Sequence, residues 1–203
     1  MLRPLALIAA ITAALTLLSP TPGLAAGGDT PAKPKTTETS KDCFQVRQWD
    51  PEIKKYVRFS EKVNGVWDAS ISKCVRPDKT SHLDSDTLYD AVRELAYAGR
   101  YGAALAVLDN MPDQGADRVL TYRGFTARKL GDLALANVYY RQAIDANPDN
   151  FLARSYMGQG MVASGDKIGA VKQLREIQTR GGAGTWAETS LRSAIETGST
   201  YNY

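Results

Sequence analysis

Few residues in this chain have the chemistry of a catalytic or metal site. His82 is the only histidine, and it stands in a polar segment where we expect it to be solvated rather than part of a catalytic triad or metal site. The glycines at 160–165 have the spacing of a phosphate-binding loop, but Asp166 occupies the place where that loop requires lysine. Acidic pairs such as Asp84 and Asp86 fall at predicted helix ends, where capping explains them. We therefore expect no enzyme activity, no metal and no cofactor.

The first 26 residues have the pattern of a secretory signal peptide. Arg3 is the only charged residue before Asp29, residues 5–18 are almost wholly apolar, and small residues around Ala25 and Ala26 suit cleavage. The alternative is a membrane anchor, but the apolar run of about 14 residues is shorter than the roughly 20 that span a bilayer. We expect a periplasmic or secreted protein without a membrane span once the signal is removed.

The charge balance argues against an anionic polymer as the partner. The chain has 25 basic and 22 acidic residues, a formal net charge of +3, so neither nucleic acid nor a membrane surface is indicated. Residues 27–42 contain no apolar residue larger than alanine and are rich in threonine, lysine and proline. Such a segment cannot bury a core, and we expect it to be a disordered linker.

The two cysteines, Cys43 and Cys74, predict a disulfide. In an exported chain an even, minimal pair favours a disulfide, which on the chain-entropy account stabilises the fold by about 3–4 kcal/mol for a loop of about 30 residues. A metal site is the first alternative, but two isolated thiols and one distant histidine make a poor one. A redox pair is the second, but a separation of 31 residues is not a redox dithiol motif.

The segment 43–76 contains an internal echo that predicts two β-hairpins. Residues 49–58 and 67–76 share tryptophan, aspartate, isoleucine, lysine, valine and arginine at the same relative positions. Each copy reads as a strand ending in tryptophan, a turn opened by aspartate and a second strand, with Cys43 expected on the first strand and Cys74 on the last. Trp49 and Trp67 are candidate sugar-stacking platforms, although packing within each hairpin is the commoner role for such residues.

The segment 117–150 predicts two amphipathic helices joined by a tight turn. Apolar residues recur at helical spacing on both sides of Gly131-Asp132, and Asn147-Pro148 ends the second helix because proline lacks an amide hydrogen and clashes with the preceding turn. Small residues would let the two helices approach closely: Gly124, Ala127, Ala136 and Ala143. One such hairpin buries a single face, so it needs neighbours of the same shape.

The pattern recurs on both sides of this segment. Gly131-Asp132-Leu133 is echoed by Gly165-Asp166-Lys167, 34 residues later, and by Gly99-Arg100-Tyr101, 32 residues earlier. Five residues after each glycine stands an alanine: Ala104, Ala136 and Ala170. These positions and this period resemble the tetratricopeptide repeat. The resemblance implies an all-α fold of right-handed antiparallel helical hairpins, with repeats at 85–116, 117–150 and 151–182 and a capping helix at 185–197.

Helix boundaries follow from the breaker residues and the apolar spacing. We predict the helix pairs 85–98 with 101–111, 116–130 with 133–146, and 150–164 with 167–180. Asp84 or Ser85 is expected to cap the first helix, and the glycines at 181–184 are expected to form a hinge before the capping helix. Arg123 and Arg154 fall where the repeat family usually has apolar residues, so either their stems lie along the surface or the helices are rotated.

In tetratricopeptide arrays the first helix of each hairpin lines a concave face, and the resemblance therefore implies a partner-binding groove. Carried over residue by residue, its candidates are Tyr89, Arg93, Arg118, Thr121, Phe125, Arg128, Ser155 and Gln159. Arginines bind carboxylates in bidentate fashion and aromatic rings give apolar anchors, which suits a peptide with an acidic group. The lysines and asparagines of the family's carboxylate clamp are absent. The alternative is that these arginines are ordinary solvated residues on a helix surface.

The sequence thus predicts a protein similar to small exported tetratricopeptide-repeat proteins of Gram-negative bacteria. The implied function is binding, as a scaffold or adaptor for another envelope protein or peptide. The alternative is a carbohydrate- or cell-wall-binding module that uses Trp49 and Trp67, with the helices as a spacer. No residue pattern names the partner.

Overall fold

The computed structural model describes residues 65–200, together with Thr39, Cys43 and the backbone of two strands at 47–50 and 55–58. The predicted signal peptide and nearly all of the predicted linker lie outside the described residues, so both stay predictions. Within the described part of the chain, no helix has the length and apolar character needed to cross a membrane.

Two antiparallel hairpins form the amino-terminal part of the structure. Their strands are β1 (Arg47–Asp50) paired with β2 (Lys55–Arg58), and β3 (Val66–Asp68) paired with β4 (Lys73–Val75). The registers match: Trp49 lies opposite Tyr56, and Trp67 lies opposite Cys74. The echo in the sequence therefore corresponds to the same strand pairing, and the prediction of two hairpins is confirmed.

The predicted disulfide joins Cys43 and Cys74, whose Cα atoms are 5.5 Å apart. Cys74 lies on β4 as predicted, but Cys43 precedes β1, which begins only at Arg47. Gly65 packs against the bridge: a Cβ there would be 3.2 Å from the Cβ of Cys74. Val66 of β3 is fully buried in the main core, so the second hairpin is anchored to the helices.

Helices make up most of the remainder, which confirms the predominantly helical fold. In the described residues they are α1 (Ser85–Tyr97), α2 (Tyr101–Leu108), α3 (Asp117–Lys129), α4 (Leu133–Ala146), α5 (Phe151–Ala163), α6 (Lys167–Ile177) and α7 (Trp186–Thr197). Their ends agree with the predicted boundaries to within about three residues. A short π-helical segment, Gln178–Gly182, connects α6 towards α7, and Asp84 caps α1 by accepting from the amides of Asp86 and Thr87.

Each short connection within a helix pair turns on a glycine. Gly99, Gly131 and Gly165 have φ values of +75°, +95° and +85°, in the left-handed region that a side chain would strain. The connected helices pack on each other, α1 on α2, α3 on α4 and α5 on α6. In addition α1 contacts α3, α3 contacts α5, and α5 contacts α7, so the odd-numbered helices are successive neighbours.

Small residues allow the close contact between α3 and α4, as the sequence predicts. A Cβ on Gly124 would lie 2.6 Å from Cε1 of Tyr140, whose ring is buried. Ala136 and Ala143 of α4 are also buried. The glycine is thus required by the close approach of an aromatic ring rather than by backbone conformation.

The two arginines at apolar positions are explained by hydrogen bonds at their ends. Arg154 is buried, and its Nε and Nη2 atoms donate to the carbonyl of Pro148 at 3.1 and 3.0 Å. Arg123 is half-buried and donates to Asp109 at 2.9 Å and to Gln114. Both side chains cover apolar surface with the stem and bond loop acceptors with the guanidinium, so no rotation of the helices is needed.

Asn150 ties α3 to the start of α5. Its side-chain oxygen caps α5 by accepting from the amide of Ala153 at 2.8 Å, and its amide nitrogen donates to Asp117 at 3.0 Å and to Thr121 at 2.9 Å. Asn147 donates to the same carboxylate oxygen of Asp117 at 2.7 Å. Asn150 is fully buried, so this polar cluster fixes the spacing of the two helices inside the fold.

Candidate functional site

Half of the predicted groove residues are buried inside the helical packing. Thr121, Phe125, Ser155 and Gln159 each have 0% exposure, so the expectation that they present an open face to a partner is wrong in this structure. The reason is α7, which packs on α5: Ser155 and Gln159 both lie at 3.1 Å from the hydroxyl of Ser190 on that helix. Thr121 is held in the Asn150 cluster.

Phe125 belongs to an aromatic cluster shared by α1, α3 and α5. Its ring centroid is 5.9 Å from that of Tyr97 and 4.9 Å from that of Tyr156. The Tyr97 hydroxyl lies 2.8 Å from the hydroxyls of both Tyr122 and Tyr156. This cluster joins three helices through both rings and hydroxyls, so its role is to position the face rather than to bind at its surface.

The other four groove candidates, Tyr89, Arg93, Arg118 and Arg128, are partly exposed. The guanidinium carbon of Arg118 lies 5.0 Å from the Tyr89 ring centroid, and Nη1 of Arg118 donates to Asp86 at 2.5 Å. Arg93 lies 5.9 Å from the same ring. The structure therefore brings these residues together across α1 and α3, and Arg118 is engaged by a carboxylate of the protein itself.

Arg128 retains hydrogen-bonding capacity that the described residues do not use. Its side chain crosses from α3 to α5, with the guanidinium carbon 5.7 Å from the Phe125 centroid and 5.9 Å from the Tyr156 centroid. Nε and Nη2 are buried, and neither has an acceptor among the described residues. In native proteins an unsatisfied buried donor is unusual and calls for an explanation.

Two titratable neighbours report on the environment of Arg128. Burial raises the pKa of Tyr140 to about 12, and the positive charge of Arg128 acts against that rise. Although Arg128 lies near the Tyr140 hydroxyl, no bond between them has hydrogen-bond geometry, and that hydroxyl has no other partner within the described part of the chain. Burial, followed by the charge of Arg128, lowers the pKa of Lys129. The carboxyl end of α3 is therefore a poorly solvated and positively charged location.

A second candidate site lies between the β3–β4 hairpin and α1, where the sequence predicted none. It is a cavity of about 610 Å³, within the usual size of small-molecule pockets. Its main polar and aromatic lining residues come from three elements in succession: Trp67, Asp68, His82, Asp84, Thr87 and Asp90. These residues form one wall from the hairpin and the other from the first two turns of α1.

Asp68 organises the hairpin side of this cavity. Its carboxylate is 1% exposed, accepts from the amide and hydroxyl of Ser70 at 2.9 and 2.6 Å, and lies 2.5 Å from Nε2 of His82. The Ser70 hydrogen bond, and then that of His82, lower the pKa of Asp68 to about 2. His82 is half-exposed but paired, so the expectation of a merely solvated histidine is wrong.

The three side chains do not form a nucleophilic triad. In such a triad histidine stands between the serine and the carboxylate. Here Asp68 stands between Ser70 and His82, so the serine hydroxyl donates to a carboxylate and is not activated by a base. The His82 contact could not be read from the sequence because the hairpin turn, rather than a spacing motif, brings Asp68 beside it.

Trp67 contributes an unsatisfied donor to the cavity. Its indole nitrogen is buried and has no acceptor among the residues that the structure describes. The side chain of Trp49, the other candidate sugar platform, lies outside the described residues. Across those same residues, no group of three or more histidine, cysteine, aspartate or glutamate side chains is placed to hold a metal ion.

Comparisons of the chain with protein-family models, with curated proteins and with solved structures found no match. The resemblance to the tetratricopeptide repeat therefore rests on the sequence positions given above. The two candidate sites, the end of α3 around Arg128 and the cavity around Trp67, rest on their geometry.

Proposed function

We propose that this protein is a binding scaffold of the bacterial envelope that takes a peptide or protein segment on the side formed by α1, α3 and α5. The observation that carries the proposal is Arg128, whose Nε and Nη2 atoms are buried without an acceptor among the described residues. The successive contacts of α1, α3, α5 and α7 support it, because first helices of tetratricopeptide hairpins are expected to be neighbours in this way.

The chemistry of Arg128 selects an acidic partner group. Nε and Nη2 lie on one edge of the guanidinium plane, where a carboxylate can accept from both in bidentate fashion. Leaving one buried donor unsatisfied costs about 1–3 kcal/mol, so a carboxylate that reaches this edge gains both the new bonds and the relief of that penalty. Since both atoms are buried, we expect the side chain to rotate outward when the partner binds.

An envelope location fits the covalent structure. The disulfide Cys43–Cys74 persists in oxidising compartments such as the periplasm and is rare in the cytosol. Together with the predicted signal peptide, it supports a periplasmic or secreted protein. In this setting the helical part would act as a right-handed array of tetratricopeptide-like hairpins, with α7 as its terminal cap.

The experiment that tests the proposal is in-cell crosslinking, followed by identification of the captured protein. Arg128→Glu should abolish capture because it repels a carboxylate, and Arg128→Lys should weaken it because lysine lacks the two-donor edge. Arg141→Glu is the matched control, since Arg141 is an exposed arginine on α4. Circular dichroism must show that all variants are folded, and undiminished capture by folded Arg128→Glu would show the proposal to be wrong.

The carbohydrate-binding alternative is favoured by one observation. Trp67 lines the cavity beside α1 rather than packing wholly inside its hairpin. Retention on insoluble wall material that is lost in the double variant Trp49→Ala and Trp67→Ala, with the fold intact, would support it. Equal retention of the folded double variant would exclude both tryptophans as the platform.

A further inference from the structure

We propose that the cavity between the β3–β4 hairpin and α1 binds a hydroxylated organic ammonium, of which an amino sugar is the simplest, through Trp67 and Asp90. The proposal narrows the carbohydrate-binding alternative to one ligand class and rests on it. It is independent of partner binding at Arg128. Three features of the cavity carry it: the sign of its charge, an unsatisfied donor, and a rigid wall.

The charge of the lining selects a cation. Asp68, Asp84 and Asp90 supply three carboxylates, whereas none of the described lining residues is a lysine or arginine. Even with His82 protonated the cavity stays negative, so phosphates and carboxylates are disfavoured and an ammonium group is attracted. Trp67 adds the aromatic face that binds cations best.

Asp90 is the carboxylate best able to meet the ligand. Both oxygens of Asp68 are occupied by Ser70 and His82, and both oxygens of Asp84 accept from the first turn of α1. Asp90 has one long hydrogen bond, 3.3 Å from Arg93, and its side chain is 60% exposed at the mouth of the cavity. An ammonium entering the cavity would pass this carboxylate first.

The indole of Trp67 requires more than a simple amine. Its buried N–H needs an acceptor, and an ammonium group has none to offer. A hydroxyl or ring oxygen can accept this hydrogen bond. A ligand that carries both hydroxyl groups and an ammonium group therefore satisfies the indole donor and the carboxylates together. An amino sugar also has an apolar ring face that can stack on tryptophan.

The wall that carries Trp67 is held in place before any ligand binds. Asp68 fixes the turn through two bonds to Ser70 and fixes His82 through a third. The amide of Trp67 itself donates to the Thr39 hydroxyl at 3.2 Å. Such prior ordering lowers the entropic cost of binding, which is what a small ligand with few contacts needs.

The test is titration of the purified, disulfide-bonded protein, with the indole N–H signal of Trp67 followed by nuclear magnetic resonance. The probes are a glucosamine tetramer, its fully N-acetylated counterpart, cellotetraose and n-butylamine. We expect the glucosamine tetramer to shift the Trp67 signal and to bind about tenfold more tightly than each of the other three probes. The signal is assigned from its loss in Trp67→Phe.

Variants separate charge recognition from sugar recognition. Asp90→Asn should weaken glucosamine binding by about two- to fivefold, as expected for an exposed ion pair, and leave the acetylated form unaffected. Asp145→Asn, at an exposed aspartate of α4, should change neither. Equal binding of the glucosamine and acetylated tetramers would overturn the cation proposal but support carbohydrate binding. No shift with any sugar in the folded protein would overturn both, and butylamine binding as tightly as glucosamine would overturn the requirement for hydroxyl groups.

Discussion

Asn150 offers the sharpest test of how the helical part is held together. As an isolated helix cap, asparagine and aspartate are nearly equivalent, so Asn150→Asp should be almost neutral if capping were its whole role. The structure gives Asn150 a second role, because its amide nitrogen donates to Asp117 at 3.0 Å while its oxygen caps α5. Replacing the amide by a carboxylate keeps the cap and sets two carboxylate oxygens against each other.

The size of the effect follows from this distance. Two like charges 3.0 Å apart repel by about 5 kcal/mol at an effective dielectric constant of about 20, and partial exposure of Asp117 reduces that value. The new acid can also escape by binding a proton, which at pH 7 costs about 4 kcal/mol and at pH 5 only about 1.4 kcal/mol. We therefore expect Asn150→Asp to lose about 3 kcal/mol at pH 7 and about 1 kcal/mol at pH 5.

Asn150→Ala provides the comparison that does not depend on pH. It loses the cap, worth about 1 kcal/mol, and the donor to Asp117, for a total of about 2 kcal/mol at both pH values. The free energy of unfolding is measured by urea titration at pH 7 and pH 5, with Asp132→Asn at the exposed cap of α4 as a near-neutral control. The reasoning fails if Asn150→Asp is the more stable of the two at pH 7, or if its loss does not shrink at pH 5.

Two further predictions concern α3 and the hairpin. Gly124→Ala should destabilise by about 1 kcal/mol, since a Cβ 2.6 Å from the buried Tyr140 ring outweighs the better helix propensity of alanine, whereas Gly102→Ala, with open space around it, should stabilise by up to about 1 kcal/mol; thermal unfolding compares the pair, and equal shifts would contradict the packing. Asp68, with its pKa lowered from 3.8 to about 2, contributes stability that is present above about pH 4 and is lost as pH falls towards 2. The stability difference between the wild type and Asp68→Asn should therefore shrink over that range in acid titrations followed by circular dichroism, and a constant difference would refute it.

Local patterns in this chain predict the elements well. The 18-residue echo around the two tryptophans predicts two hairpins with identical pairing, because the same turn chemistry sets the same register. The glycines that end α1, α3 and α5 mark the helix boundaries, since only glycine adopts the left-handed turn without strain. Both signals depend on neighbours in sequence, which is why they survive translation into structure.

The candidate sites depend on contacts between distant segments, and here the sequence falls short. Phe125 lies on the predicted face of α3, but Tyr97 and Tyr156 from neighbouring helices cover it, so a helix position alone does not decide exposure. His82 and Asp68 are brought together by the docking of a hairpin beside α1, for which no spacing rule exists. Arg128 was predicted as a groove residue, but its missing acceptors are visible only once its surroundings are known.

The two candidate sites have opposite chemical demands, and this bears on how they can be separated. Arg128 lacks acceptors at a positively charged end of α3, whereas the Trp67 cavity has carboxylates and lacks an acceptor for one indole donor. A carboxylate-bearing segment suits the first and is repelled by the second, and an amino sugar has the reverse preference. Because the lining of one site shares no residue with the contacts of the other, Arg128→Glu should leave amino-sugar binding unchanged and Asp90→Asn should leave protein capture unchanged. Reciprocal effects in folded variants would instead mean that one ligand, extended across α1, contacts both sites.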